Sequence, residues 1–258
     1  MDLVKRSRSN QDVLKLTNVS KTFEVKNEAV KVLRDVSVTI KRNSFTILYG
    51  PSGSGKSTLL NILAGLEPPT SGHVTFRGQD IYSLTANQRA SYRALYLGVV
   101  YQSNYWINSL TTLENVASPA YLLGTRYRQG LKMAKEALHK VNMNDYSTRE
   151  PNLLSSGQQQ RIQLARALVT NPSVIIADEP TGNLDTSNGD MVMNLLAKCR
   201  SEYGQTIILA THNLEYLPLS DSQIYVKDGI VEQNFGEHRW TGGPTISLAQ
   251  FKKMAKNK

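Results

Sequence analysis

The stretch Tyr49-Gly50-Pro51-Ser52-Gly53-Ser54-Gly55-Lys56-Ser57-Thr58 concentrates the chemistry of this chain. It fits G-x-x-x-x-G-K-[ST], the loop that cradles the phosphates of a nucleoside triphosphate. Glycines let the backbone curl so that several N–H groups converge on one anion, and a helix N-terminus adds its own unpaired N–H groups. Lys56 is placed to reach the β/γ-phosphates and the Ser57 hydroxyl to hold Mg²⁺. The flanks have the right character. Phe45, Thr46, Ile47, Leu48 and Tyr49 read as a buried strand, and Leu59, Leu60, Ile62, Leu63 and Ala64 as a helix that Gly65 can end.

Acids and a histidine follow at the ends of later apolar runs. Val174-Ile175-Ile176-Ala177-Asp178-Glu179 reads as a buried strand that delivers Asp178 to the metal and Glu179 to the attacking water. A further strand, Thr206 to Thr211, ends at His212. There the histidine is a candidate γ-phosphate contact, because ligands of open α/β sheets bind at the carboxyl ends of strands. Leu97-Gly98-Val99-Val100-Tyr101 ends at Gln102, a residue able to reach a metal or its water, though a glutamine so placed is more often an ordinary surface residue. Leu154-Ser155-Ser156-Gly157-Gln158 opens a helix through Leu168, a second N-terminus with free N–H groups that a simple cap would also explain. Thr181-Gly182-Asn183-Leu184-Asp185 is a polar loop before a helix expected from about Asn188 to Tyr203.

The elements between these motifs position them. Leu14 to Val19 and Val30 to Ile40 alternate apolar and polar residues, as half-exposed strands of an antiparallel sheet do. Phe23 lies between them, and its residue type suits a buried strand face and a stacked nucleotide base about equally. From about Ser103 to Leu153 the pattern is helical. Leu131, Ala134, Leu138 and Val141 share one face, with Lys132, Lys135 and Lys140 largely outside it. That stretch reads as an inserted helical subdomain whose basic run is a solvated face.

The 258 residues suffice for one large α/β domain with a subdomain, and 40% apolar content for a core. No stretch approaches the ~20 apolar residues of a membrane span. The N-terminus carries Lys5, Arg6 and Arg8 without an apolar core, so it does not read as a signal peptide. The single cysteine, Cys199, reads as a small core residue. A net charge of +9 is scattered and lacks the aromatic-interleaved stripe of a single-strand binder, so no specific nucleic acid is expected.

Taken in order, the phosphate loop, Gln102, Leu154 to Gln158, Asp178-Glu179, Asp185 and His212 resemble the ATP-binding cassette (ABC) ATPases, from Leu14 to about Glu232. The resemblance implies an α/β P-loop NTPase fold, with an antiparallel β subdomain and an inserted helical subdomain at about 103–158. The ATPase would span 12–235 and a basic extension 236–258. It implies ATP and Mg²⁺ as cofactors, with Phe23 as the base-stacking aromatic and Ser57, Gln102 and Asp178 around the metal. Glu179, His212, Gln102 and Lys56 would be catalytic, and Ser155, Ser156, Gly157, Gln158 and Asp185 would complete the nucleotide site. Family members dimerise head to tail, so that one subunit's signature turn covers ATP on the other's phosphate loop. Small GTPases are set aside because their Asn/Thr-Lys-x-Asp motif is absent.

Glu179-Pro180-Thr181-Gly182-Asn183-Leu184-Asp185 and Leu113-Glu114-Asn115-Val116 look like one bacterial branch, that of lipoprotein release, macrolide and peptide efflux and the cell-division complex. In that branch a homodimeric ATPase, peripheral on the cytoplasmic side of the inner membrane, commonly drives a separate permease-type integral-membrane partner. A regulatory complex without cargo and a soluble ABC protein acting on DNA or ribosomes are the rival functions. Two departures stand out. Ser156 replaces the family's usual glycine, which predicts weaker or slower closure over ATP, and Asn43-Ser44 replaces the usual Gly-Glu turn. Beyond Gly236, the residues Ser247, Leu248, Phe251, Met254 and Ala255 suggest a short amphipathic helix ringed by lysines.

Overall fold

The computed structural model describes residues 12–26 and 28–235; the expected amphipathic helix after Gly236 lies outside them. Two alternating strands, β1 (Asp12–Val25) and β2 (Glu28–Lys41), pair antiparallel as their pattern predicts. With β4 (Ser71–Phe76) and β5 (Gln79–Asp80) they form a four-stranded sheet in the order β2-β1-β4-β5. Phe23 stands within β1 rather than between two strands.

The second sheet has six strands. β3 (Phe45–Tyr49), β6 (Leu97–Val100), β7 (Val174–Asp178), β8 (Thr206–Ala210) and β9 (Ser222–Lys227) run parallel, and β10 (Ile230–Phe235) pairs antiparallel to β9. Their order is β10-β9-β3-β8-β7-β6. The inner strands read as nearly continuous apolar runs because both faces are covered. Along β8, Ile207 and Leu209 enter one core while Ile208 and Ala210 enter the other, and β7 divides Ile175 and Ala177 from Val174 and Ile176 in the same way.

Those two faces separate the helices. α1 (Lys56–Leu63) puts Leu59, Leu60, Ile62 and Leu63 into the core shared with the antiparallel sheet. The opposite face carries α3 (Thr112–Leu122), α4 (Tyr127–Lys140), α5 (Ser156–Leu168) and α6 (Thr186–Tyr203), with Ala134, Leu138 and Val141 buried as the helical pattern predicts and Leu131 packed at the edge. Each such fully buried leucine or isoleucine stabilises the fold by about 1.5–3 kcal/mol. α2 (Ala86–Tyr96) leads directly into β6.

Local chemistry sets the boundaries. Thr85 with Gln88, Thr111 with Glu114, and Ser155 with Gln158 form reciprocal capping boxes at the starts of α2, α3 and α5. The last long helix starts at Thr186, two residues before the expected Asn188, because the Asp185 carboxylate caps it by accepting the Asn188 N–H at 2.9 Å. The segment expected to be helical from Ser103 becomes so only at Thr112. Buried Asn115 holds the preceding loop open: its Oδ1 accepts the Ile107 N–H at 2.9 Å and its Nδ2 donates to the carbonyls of Ile107, Leu110 and Thr111. Asn43 sits at φ 56°, a left-handed turn that asparagine tolerates in place of glycine, and Ser44 Oγ donates to the Lys41 carbonyl at 2.7 Å. Cys199 is buried, as expected.

Candidate active site

The phosphate loop leaves the carboxyl end of β3 and runs straight into α1. Gly50 adopts φ 145°, and a Cβ there would lie 2.0 Å from the Val226 carbonyl oxygen of β9. Gly53, at φ 76°, faces open space with no protein atom within 4 Å of a Cβ position. Pro51, Ser52 and Ser57 are exposed and Thr58 is half-buried, whereas Ser54, Gly55 and Lys56 are buried. Gly55 caps α1 and brings no side chain to occupy its first N–H groups. Lys56 Nζ donates to the carbonyls of Gly50 and Pro51 at 3.0 and 2.8 Å, so the ammonium lies inside the curl of the loop. The loop is a concave anion site with a positive charge at its centre.

Strand order brings the later candidates beside it. β8 and β7 follow β3 in the sheet and β6 follows them, so His212, Asp178-Glu179 and Gln102 emerge in a row at the same edge. Asp178 ends β7 with its Oδ1 buried and without a hydrogen-bond donor. Burial of an unpaired carboxylate oxygen is costly. Together with the exposed Ser57 hydroxyl, this oxygen-only donor set suits a hard divalent cation that keeps phosphate and water as its other ligands. Among the described residues no cluster of three His, Cys, Asp or Glu forms an all-protein metal cage.

Glu179 turns sharply out of the strand at φ 47°, its N–H donating to the Ala210 carbonyl and its carbonyl accepting from Gly182. That turn carries its carboxylate back toward β8. Glu179 Oε2 is buried and lies 2.9 Å from His212 Nδ1 without the alignment of a hydrogen bond, and the histidine side chain is 68% exposed. Gln102 is exposed on the irregular chain after β6, and one cavity is lined by Gln102, Ser156, Gln160, Glu179, Pro180 and Asn183.

The second helix N-terminus lies on the other face of the sheet. Ser155 and Ser156 are exposed at the start of α5, and Ser155 Oγ accepts the Gln158 N–H while Gln158 Oε1 accepts that of Ser155. Gly157 is buried, with a Cβ position only 2.5 Å from Asn188 Oδ1. Asn188 Nδ2 in turn donates to Asp185 Oδ2 at 2.7 Å. The Asn188 backbone N–H, then its side chain, hold the Asp185 carboxyl below the usual carboxylate range. Asn188 thus joins two motifs far apart in sequence, and only its place three residues after the Asp185 cap could have marked it. Phe23 stands apart from the row on the antiparallel sheet, half-buried, with Lys21 Nζ 4.6 Å from its ring centroid. Lys21 is itself held by the Glu67 carboxylate and the Pro68 carbonyl.

A parallel sheet with a glycine loop at β3 and acids at the neighbouring strand ends defines a P-loop nucleotide-binding protein. A family model described as "ABC transporter" matches residues 33–182. The lipoprotein-releasing system ATP-binding protein LolD of Shewanella frigidimarina is 37% identical over 226 residues, which cover 88% of this chain and 95% of that protein. The chain belongs to the ABC transporter family. It is also 38% identical over 227 residues to the macrolide export ATP-binding/permease protein MacB of Syntrophobacter fumaroxidans, covering 87% of this chain but only 32% of that protein. The dimeric structure of the cassette MJ0796, an ABC transporter ATP-binding protein of Methanocaldococcus jannaschii, superposes with a TM-score of 0.81 at 37% identity, over 86% of this chain and 98% of that one. A dimeric post-hydrolysis state of MJ0796 bound to ADP and Pi superposes with a TM-score of 0.80.

Proposed function

We propose that the chain is the ATP-hydrolysing subunit of a membrane complex, working as a homodimer. The row of Lys56, His212, Asp178-Glu179 and Gln102 along one sheet edge carries this reading, because it sets candidate phosphate, metal and water contacts on neighbouring strand ends. Lys56, the loop N–H groups from Gly50 to Thr58 and the Phe23 ring bind the nucleotide. Ser57, Asp178 and Gln102 would hold Mg²⁺, whose charge would offset that developing on the phosphates. Glu179 takes up the proton of the attacking water, with His212 beside it at the γ-phosphate.

The signature turn, Ser155-Ser156-Gly157-Gln158, begins a helix on the opposite sheet face from α1. The dimeric state of MJ0796 supports a reading in which this turn serves the phosphate loop of a second copy. Two helix N-termini then approach one triphosphate from opposite sides. The cassette comprises 12–235, with its helical subdomain at about 103–158. The permease part of MacB's name supports coupling to a permease-type partner, and on this reading the chain sits peripherally on the cytoplasmic side of a bacterial inner membrane. Among the described residues no helix is long and apolar enough to cross a membrane.

The test is Glu179→Gln, purified with ATP from detergent-solubilised cells of its own source. Loss of one preorganised transition-state group costs about 10²–10³ in rate. The variant should bind ATP, dimerise and barely turn over, and bring down a polytopic membrane protein in near-equal amount. Normal hydrolysis would remove Glu179 as the base. Recovery of ribosomes or DNA-bound proteins without a membrane chain would overturn the membrane coupling.

A further inference from the structure

Gln163 lies at the middle of α5, eight residues after Ser155, with buried Ile162, Leu164 and Ala165 around it. It is 1% exposed, an unusual place for a primary amide unless every group on it is matched. Its partners all lie in the irregular chain after β6. Gln163 Oε1 accepts the Tyr101 backbone N–H at 3.1 Å. Its Nε2 donates to the Ser103 carbonyl at 3.2 Å and to Asn104 Oδ1. One side chain thus grips the backbone immediately before and immediately after Gln102. A backbone donor on one side and a backbone acceptor on the other fix which end of the amide is which.

Two neighbours on the same stripe of α5 extend the grip. Gln159 Oε1 accepts from Asn104 Nδ2 at 2.7 Å and from Trp106 Nε1 at 2.9 Å. Arg166 Nη1 donates to the Tyr105 carbonyl at 2.6 Å, with its guanidinium 4.6 Å from the Trp106 ring centroid. Residues 159, 163 and 166 are spaced to face one way on a helix. The segment carrying Gln102 has no strand or helix of its own, so these side chains of α5 set its course.

We infer that Gln163 is a positioning residue for Gln102. By bracketing Gln102 it directs that side chain to the cavity lined by Ser156 and Glu179, and ties it to the helix whose first turn is the signature. This rests on the reading of Gln102 as a contact of the metal and water. Gln163 itself touches neither nucleotide nor metal. Its loss misplaces Gln102 and slows turnover without weakening ATP binding.

The test is a double-mutant cycle of Gln163→Met, which keeps the volume and removes all three bonds, with Gln102→Ala. Turnover at saturating Mg·ATP, ATP affinity and melting temperature are measured for all four proteins. A displacement of about 1 Å at a reacting centre can cost on the order of 10²-fold. Gln163→Met alone should therefore lower kcat about 10- to 10²-fold with ATP Kd within about twofold, and lower it by less than about twofold when Gln102 is already alanine. Equal losses in both backgrounds, or a kcat within about twofold of the parent, would overturn the inference. Unchanged turnover in Gln102→Ala alone would instead overturn the reading of Gln102, and the inference with it. Should Gln163→Met not fold, hydrogen exchange on the unaltered protein decides. The Tyr101 amide should be protected as well as the central amides of α5, and exchange at the rate of an open loop would refute the bracket.

Discussion

Gly50 and Gly53 lie three residues apart in one loop, yet the structure gives them different reasons to lack a side chain. In Gly50→Ala the new Cβ would meet the Val226 carbonyl oxygen at 2.0 Å. That oxygen belongs to β9, which is paired on one side with β3 and on the other with β10, so it cannot retreat. Holding alanine at φ 145° costs about 1–3 kcal/mol, and overpacking a rigid neighbour about 1–3 kcal/mol more. The sum, about 2–6 kcal/mol, is a large part of the 5–15 kcal/mol that typically stabilises a domain. At about 2–4 °C per kcal/mol for a chain of this size, Tm should fall by roughly 4–24 °C. In Gly53→Ala no protein atom lies within 4 Å of the Cβ and only the left-handed backbone is penalised, by about 1–2 kcal/mol. Its methyl group instead enters the space assigned to phosphate oxygens, so ATP affinity should drop at least about tenfold, or ~1.4 kcal/mol. Differential scanning calorimetry of the nucleotide-free proteins and equilibrium ATP binding separate the two effects. A Gly50→Ala protein melting within about 2 °C of the parent would refute the close approach to β9. Unchanged ATP affinity in Gly53→Ala would refute the orientation of the loop.

Three other expectations follow from the same geometry. Ser156→Gly removes a side chain from the exposed signature turn and should speed ATP-driven dimer closure; unchanged hydrolysis kinetics would show that Ser156 carries no cost. Burial pushes the Cys199 thiol up to about 12, so an alkylating reagent at pH 8 should modify the native protein far more slowly than the urea-unfolded chain, and equal rates would contradict the burial. The Asp185 carboxyl has a depressed pKa in the folded state, so its stabilising contribution is full above its unfolded value of about 3.9 and is lost as pH falls through the folded value. Comparing urea midpoints from pH 7 to pH 3, the advantage of the parent over Asp185→Asn should shrink below about pH 4; a constant difference would exclude the charge as its source.

Local features made much of the candidate site legible, because each depends on a few adjacent residues. The phosphate loop needs glycines, a lysine and a following helix within one short stretch, and the apolar runs ending at Asp178, Ala210 and Val100 are buried strands with polar residues at their carboxyl ends. Loop boundaries were less legible. Asp185 draws α6 back to Thr186, and Asn115 keeps 107–111 out of the helical pattern by bonds that only the packed loop reveals. The branch-like motif Leu113-Glu114-Asn115-Val116 thereby acquires a structural role, with Glu114 completing the cap of α3 and Asn115 pinning the loop before it.

Sequence alone determined the chemistry on offer: a phosphate loop, two acids at a strand end, a histidine, a glutamine and a second helix N-terminus. Tertiary structure decided which of these lie on neighbouring strand ends. The strand order β3-β8-β7-β6 aligns residues more than a hundred positions apart at one edge, and no local pattern encodes that order. It also set α1 and α5 on opposite faces of one sheet, and it brought Gln163 against the chain around Gln102 and Asn188 against Gly157. The physical reason is that propensity, capping and strand alternation act over a few residues, whereas burying both faces of a parallel sheet is a property of the whole chain.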